Sequence, residues 1–186
     1  MYAAHLDLSK PLYWTVDDLL TPAECQALIA RIEAAGPSIA PVSRAEGAVV
    51  DLDTRNNTRV MFDDPALAAL LFTRVEAHVP AELSQRRAVG ANERLRCYRY
   101  APGQRFAPHY DGAYFRSATE RSLLTFLVYL NEGFTGGETS FLDFHENIRP
   151  KTGRALLFQH AILHEGCEVR AGVKYAVRSD IMYRAG

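Results

Sequence analysis

The sequence predicts an α+β protein: a double-stranded β-helix (jelly-roll) core with N-terminal helices packed on one face. Two observations lead there. Helical periodicity with clear start and stop signals is confined to the first half of the 186 residues. From about residue 93, short strand-length segments alternate with Gly, Pro and Asn turns, without the intervening helices that a parallel α/β sheet needs. A single domain is expected over 1–186, divided into a helical front end (1–92) and a jelly-roll core (93–186).

The first helix is announced by Thr21-Pro22-Ala23-Glu24, a capping box with proline at the first helical position. Cys25, Leu28, Ile29 and Ile32 form its apolar stripe, and Gly36-Pro37 stops it. Residues 37–58 mix Pro, Ser and Gly with short apolar runs, so loops with one or two short strands are expected. Asp63-Asp64-Pro65 opens a second helix, Ala66 to His78, with Leu67, Leu70, Leu71 and Val75 on one side and Pro80 beyond its end.

In the second half, Leu95 to Tyr100 alternates as a strand. Leu123 to Leu130 is an almost continuous apolar run, as in a strand covered on both faces. Further strands are expected at Thr139–Leu142, Ala155–Phe158 and Val173–Tyr183, with turns at Asn131-Glu132-Gly133 and Gly136-Gly137.

Composition narrows the function classes. With 48% hydrophobic residues the chain can bury a core. A net charge of −1 with both signs dispersed gives no nucleic-acid or membrane surface. No apolar run reaches the roughly 18 residues that span a bilayer, and the N-terminus lacks the pattern of a secretory leader. Cys25, Cys97 and Cys167 have no C-x-x-C spacing and fit free thiols in a reducing cytoplasm.

The chemistry-bearing feature is His109-Tyr110-Asp111, followed far downstream by His164. Two ligands at i and i+2 point to one face of a strand. Two imidazoles and one carboxylate cap one triangular face of an octahedral metal and leave three positions open, the arrangement of a non-haem Fe(II) oxygenase.

The surroundings carry a resemblance. The run Tyr100-Ala101-Pro102-Gly103-Gln104-Arg105-Phe106-Ala107-Pro108-His109-Tyr110-Asp111 is similar to the Y-x-x-G-x-x-[FY]-x-x-H-x-D motif of prolyl-4-hydroxylase-like 2-oxoglutarate/Fe(II) oxygenases. Tyr129-Leu130-Asn131, Gly136-Gly137-Glu138-Thr139-Ser140-Phe141 and the segment from Pro150 to Phe158 resemble later motifs of that family, in order. His164-Glu165 and Gly172-Val173-Lys174-Tyr175 complete the match over about residues 95–183.

The resemblance implies that His109, Asp111 and His164 hold Fe(II), with 2-oxoglutarate chelating the metal and O2 taking the last position. A cation nine to eleven residues after the second histidine would hold the distal carboxylate of 2-oxoglutarate. Lys174 stands ten residues after His164, and Arg178 is its rival on the same strand face. Tyr100 and Tyr129 are the candidates for an assisting hydroxyl. Because the ligand is Asp111 rather than Ala or Gly, hydroxylation of an unactivated C–H bond is expected over halogenation.

The fold does not name the substrate, which is expected to be a protein side chain, an amino acid or a small metabolite. Arg55-Asn56-Asn57-Thr58-Arg59 is placed near the pocket mouth as a substrate contact. The loop from Gly112 to Arg121 is expected to act as a lid, with Arg116 and Arg121 offered to an anionic substrate. His5, His78, His145 and His160 are expected to be ordinary surface histidines. Two other classes compete: a non-catalytic, cupin-like sensor domain holding a metal or ligand, and a zinc or manganese enzyme without co-substrate. Neither needs a cation ten residues beyond the last ligand.

Overall fold

The computed structural model describes residues 6–44 and 47–186; the expectations for His5 and for the extreme N-terminus fall outside them. The chain begins with β1 (Tyr13–Val16), α1 (Pro22–Ala34), β2 (Ser38–Ile39), β3 (Val42–Arg44), β4 (Gly47–Val49), β5 (Thr58–Asp63) and α2 (Pro65–Val75). It continues through β6 (Glu82–Leu83), β7 (Arg86–Ala91), β8 (Arg94–Tyr100), β9 (Phe106–His109), β10 (Glu120–Tyr129), β11 (Thr135–Gly136) and β12 (Thr139–Phe141). Last come β13 (Glu146–Ile148), β14 (Ala155–Gln159), β15 (His164–Gly166), β16 (Val169–Ala171) and β17 (Lys174–Ala185).

Both helices start where their caps dictate. Thr21 accepts from the Glu24 amide at 3.2 Å and Glu24 accepts from the Thr21 amide at 2.8 Å, closing the capping box. Asp64 caps α2 by accepting from the Leu67 amide. Ion pairs Arg31–Asp64 at 2.6 Å and Arg74–Glu24 at 2.7 Å tie the helices to each other. Residues 76–78, expected to continue α2, tighten into a 3₁₀ turn. Leu70 is exposed rather than packed; Leu67, Leu71 and Val75 make the contact with the core.

Two sheets face each other. The larger contains the path β1-β14-β10-β17-β8-β5-β2, with β7 also pairing β17; the smaller runs β13-β12-β15-β9. Period-two alternation divides the large sheet. Leu124, Phe126 and Val128 of β10, with Val177, Ile181 and Tyr183 of β17, join Cys25, Ile32, Leu71 and Val75 in the core beneath the helices. The opposite face carries Thr125, Leu127, Lys174, Ala176 and Arg178, which line a cavity between the sheets.

The front half is less helical than expected. β1 pairs β14 and β5 pairs β8, so residues before 64 supply strands to the same sheet as the C-terminus. Their partners lie far along the chain, and local sequence carries no record of such pairing. Among the described residues no helix is long and apolar enough to cross a membrane.

Candidate active site

His109 and His164 are direct cross-strand partners in β9 and β15 of the small sheet. Each donates its Nδ1–H to a backbone carbonyl two residues earlier, His109 to Ala107 at 2.8 Å and His164 to Ile162 at 3.0 Å. That fixes both tautomers and leaves the Nε2 lone pairs free. Phe106 stacks on the His109 ring at 3.5 Å, and Phe158 meets the His164 ring edge-on at 4.5 Å. Nε2 of His109 lies 3.8 Å from Asp111 Oδ1, and Nε2 of His164 lies 3.6 Å from Asp111 Oδ2.

One expectation needs correcting. Asp111 is not on the strand with His109, because β9 ends at His109 where its partner β15 begins. The Asp111 amide donates instead to the His160 carbonyl at 3.3 Å, which draws the chain toward the large sheet. The carboxylate arrives beside the imidazoles through this turn.

Electrostatics suit metal ligation. Burial pushes the His109 imidazole down to about 3, with His164 as a further cause, and burial likewise lowers His164. Both rings are therefore neutral donors. Burial, the largest single influence, would raise the Asp111 carboxyl, but the Arg178 guanidinium together with the surrounding imidazoles more than offsets it and holds the group ionised. The three ligand atoms lie within 4.8 Å of one another. Two neutral nitrogens and one carboxylate oxygen are the donor set an Fe(II) facial triad requires, so the residues fit the ion.

Behind Asp111 runs an ordered chain of hydrogen bonds. Thr125 Oγ1 donates to Asp111 Oδ2 at 2.6 Å and stands 2.9 Å from His160 Nδ1. His160 Nε2 lies 2.8 Å from Ser122 Oγ, which accepts from the Tyr114 amide at 2.8 Å. A hydroxyl has one proton to give, so the direction is set throughout: Tyr114 N–H to Ser122, Ser122 to His160, His160 to Thr125, Thr125 to Asp111. His160 is thus no surface histidine. It is 8% exposed, and burial lowers it to about 4. No spacing signal in the sequence marks it, whereas His78 and His145 do lie at the surface as expected.

Lys174 and Arg178 line the same cavity and differ in their partners. Lys174 is 3% exposed and sits in the central strand β17 directly opposite Tyr100. Nζ donates to the Gly137 carbonyl at 2.7 Å and makes no ion pair among the described residues; burial lowers it to about 8. Gly137 is required here: its φ is +72°, and an added Cβ would lie 3.2 Å from Lys174 Cδ. The Lys174 ammonium stands 5.0 Å from the Tyr100 ring centre and 5.4 Å from that of Tyr129. Tyr100 lines the cavity, whereas the Tyr129 hydroxyl is taken by Thr139 Oγ1 at 2.7 Å. Arg178 contacts Asp111 and Asp180, each at 3.0 Å.

The loop from Gly112 to Arg121 departs from expectation. Arg116 is bound by Glu93 and Glu120, and Arg121 stacks toward Phe115, so neither cation reaches the cavity. Gly112, Ala113 and Tyr114 do line the open cleft outside it. The Arg55–Arg59 segment lies at that cleft, as placed, but Arg55 is buried rather than solvated.

Comparison with known proteins agrees with this geometry. The model of the 2OG-Fe(II) oxygenase superfamily matches residues 95–179. Prolyl 4-hydroxylase 1 of Arabidopsis thaliana is 27% identical over 95% of this chain and 70% of its own length. A relative from Acanthamoeba polyphaga mimivirus, named among the prolyl 4-hydroxylases, is 32% identical, but the match takes in 45% of this chain and only 42% of that protein. Among solved structures, the viral collagen prolyl hydroxylase of Paramecium bursaria Chlorella virus-1, in its 2-oxoglutarate complex, shares the fold at a TM-score of 0.66 and 22% identity, covering 95% of this chain and 99% of that one. A Pseudomonas putida prolyl-4-hydroxylase gives 0.65 and 19% identity, with all of both chains covered. Over residues 95–179 the chain is similar to the 2OG-Fe(II) oxygenase superfamily, and its ordered motifs, jelly-roll core and buried His-Asp-His cluster agree with that likeness.

Proposed function

We propose that the protein is an Fe(II)- and 2-oxoglutarate-dependent dioxygenase that hydroxylates an unactivated C–H bond, with 2-oxoglutarate converted to succinate and CO2. One observation carries this: a His-Asp-His cluster and a buried lysine that makes no ion pair among the described residues line a single cavity. A sensor domain or a simple zinc or manganese enzyme has no use for the second half of that pair.

In this reading His109, Asp111 and His164 hold Fe(II), and the bound ion and its co-substrate supply the oxidising chemistry. The chain's own residues orient and exclude. Lys174 binds the distal carboxylate of 2-oxoglutarate through a charge-assisted contact, with the Tyr100 hydroxyl beside it. Arg178, already engaged by two carboxylates, positions Asp111 instead of binding the co-substrate. Leu127, Phe158 and Ala176 keep that end apolar and dry. The relatives named prolyl hydroxylases make a prolyl side chain in a peptide or protein the first substrate to try. The thiols of Cys25, Cys97 and Cys167 are unpaired and suit a reducing cytoplasm.

The test is anaerobic addition of Fe(II) and then 2-oxoglutarate to the apo-protein, followed by absorbance. A weak visible charge-transfer band that disappears in His164→Ala is expected. Iron binding without any band would remove 2-oxoglutarate from the reaction.

A further inference from the structure

Outside the metal-binding cavity lies an open cleft whose wall includes Arg55, Arg59, Arg96 and Arg178, together with the outer edges of His109 and Asp111. Four guanidinium groups in one cleft are a marked local excess in a chain whose net charge is −1. Among the described residues Asp111 is the only carboxylate on that wall, and it is a candidate metal ligand. Behind the wall, buried Asp180 takes Arg96 at 3.1 Å and Arg178 at 3.0 Å. Neither Arg55 nor Arg59 has a carboxylate partner among the described residues.

Arg55 is only 4% exposed. Its Nε donates to Asn57 Oδ1 at 2.7 Å, and its guanidinium lies 4.3 Å from the ring centre of Phe106 and 4.7 Å from that of Tyr98. Its Nη2 is buried without a partner. A buried charged donor left unpaired is costly, and such a group is a place where a ligand completes the site. Phe106, which packs on Arg55, also stacks on His109 at 3.5 Å, so this guanidinium is one ring away from the metal. Arg59 stands opposite Tyr98 in the β5–β8 register, which places it on the cavity side of the sheet. Burial lowers its guanidinium, and the positive charge of Arg55 adds to that, as expected for an arginine with no counter-ion.

We propose that this cleft recognises a carboxylate on the primary substrate, with Arg59 and Arg55 as its ligands, so that the carbon to be hydroxylated lies close to an anionic group. The proposal rests on the oxygenase reading above and names its substrate class. The two rings packed on the Arg55 guanidinium leave its in-plane edge, and a planar carboxylate meets such an edge squarely. The carboxylate belongs either to an acidic side chain flanking a target residue or to a free amino acid.

Two matched probe pairs separate these sources: a proline-centred peptide flanked by Glu against the same peptide flanked by Gln, and free L-proline against L-prolinamide. Each is titrated anaerobically into protein carrying Fe(II) and 2-oxoglutarate, after the charge-transfer band has independently tested the oxygenase reading. The acid member of at least one pair is expected to bind roughly tenfold tighter than its amide, the size of one charge-assisted hydrogen bond. The pair that shows the preference identifies the source. Arg59→Gln, on a half-buried strand position, should bring the ratio close to one, and Arg59→Lys should restore part of it. Equal behaviour of acid and amide in both pairs, including binding of neither, overturns the proposal. So does a preference that survives in both Arg59→Gln and Arg55→Gln.

Discussion

The two ends of the cavity hold a buried cation each, on one strand face, and treat it oppositely. Lys174 donates to a backbone carbonyl and makes no ion pair among the described residues; Arg178, four residues on, is clamped between Asp111 and Asp180. Both were rivals for one carboxylate in the sequence, since period two puts them on the same side. The difference teaches that a buried charge is available to a ligand only if the fold has left it uncompensated. Lys174 is available, and Arg178 is already engaged by Asp111 and Asp180.

Four experiments can break or sharpen this contrast, taken from the largest effect to the smallest. Asp111→Ala should abolish Fe(II) binding and 2-oxoglutarate turnover, since it removes a proposed iron ligand and strands Arg178; turnover at the parent rate would sink the ligand assignment. Arg178→Gln should cost stability first, about 3–5 kcal/mol by chemical denaturation, because two buried carboxylates lose their shared cation. If it instead raised the half-saturating 2-oxoglutarate concentration without loss of stability, the roles of the two cations would have to be exchanged.

Lys174→Ala should raise the half-saturating 2-oxoglutarate concentration roughly 10- to 100-fold, with Fe(II) affinity unchanged. In the parent protein, affinity for 2-oxoglutarate should also fall as pH rises through about 8, where Lys174 loses its proton. The smallest effect concerns His160. His160→Phe cuts the bonds linking Ser122 to Thr125 and should weaken metal binding roughly tenfold by titration. The apo-protein's pH dependence tests the same group. His109 and His160 titrate at about 3 and about 4 when folded, below the ordinary 6.5. The unfolded chain therefore binds more protons between those values, and thermal stability should fall as pH drops below about 6.5.

The sequence carried some of these features openly and concealed others. Thr21 with Glu24, and Asp64 with Pro65, fix the helix starts through purely local bonds, so they were legible. The ordered motifs from Tyr100 to Lys174 were legible because few residue types donate to a metal and tight turns with positive φ favour glycine. Strands β1 and β5 were not, since each acquires its role from partners more than thirty residues away in the chain. Nor was the buried role of His160 and Arg55. A lone histidine and a polar run read as surface until the fold supplies Thr125 and Ser122 for one, and Phe106 and Tyr98 for the other.

The placement of the three candidate ligands has a mechanical consequence. His109 and His164 belong to the small sheet, whereas Asp111 is gripped by Thr125 and Arg178 of the large one. An ion bound by all three is therefore a clasp between the two leaves of the jelly roll. Loading the metal should stiffen the whole barrel mouth and slow hydrogen exchange in β9 and β15 together with the middle of β10. Without it, exchange in those strands should be faster.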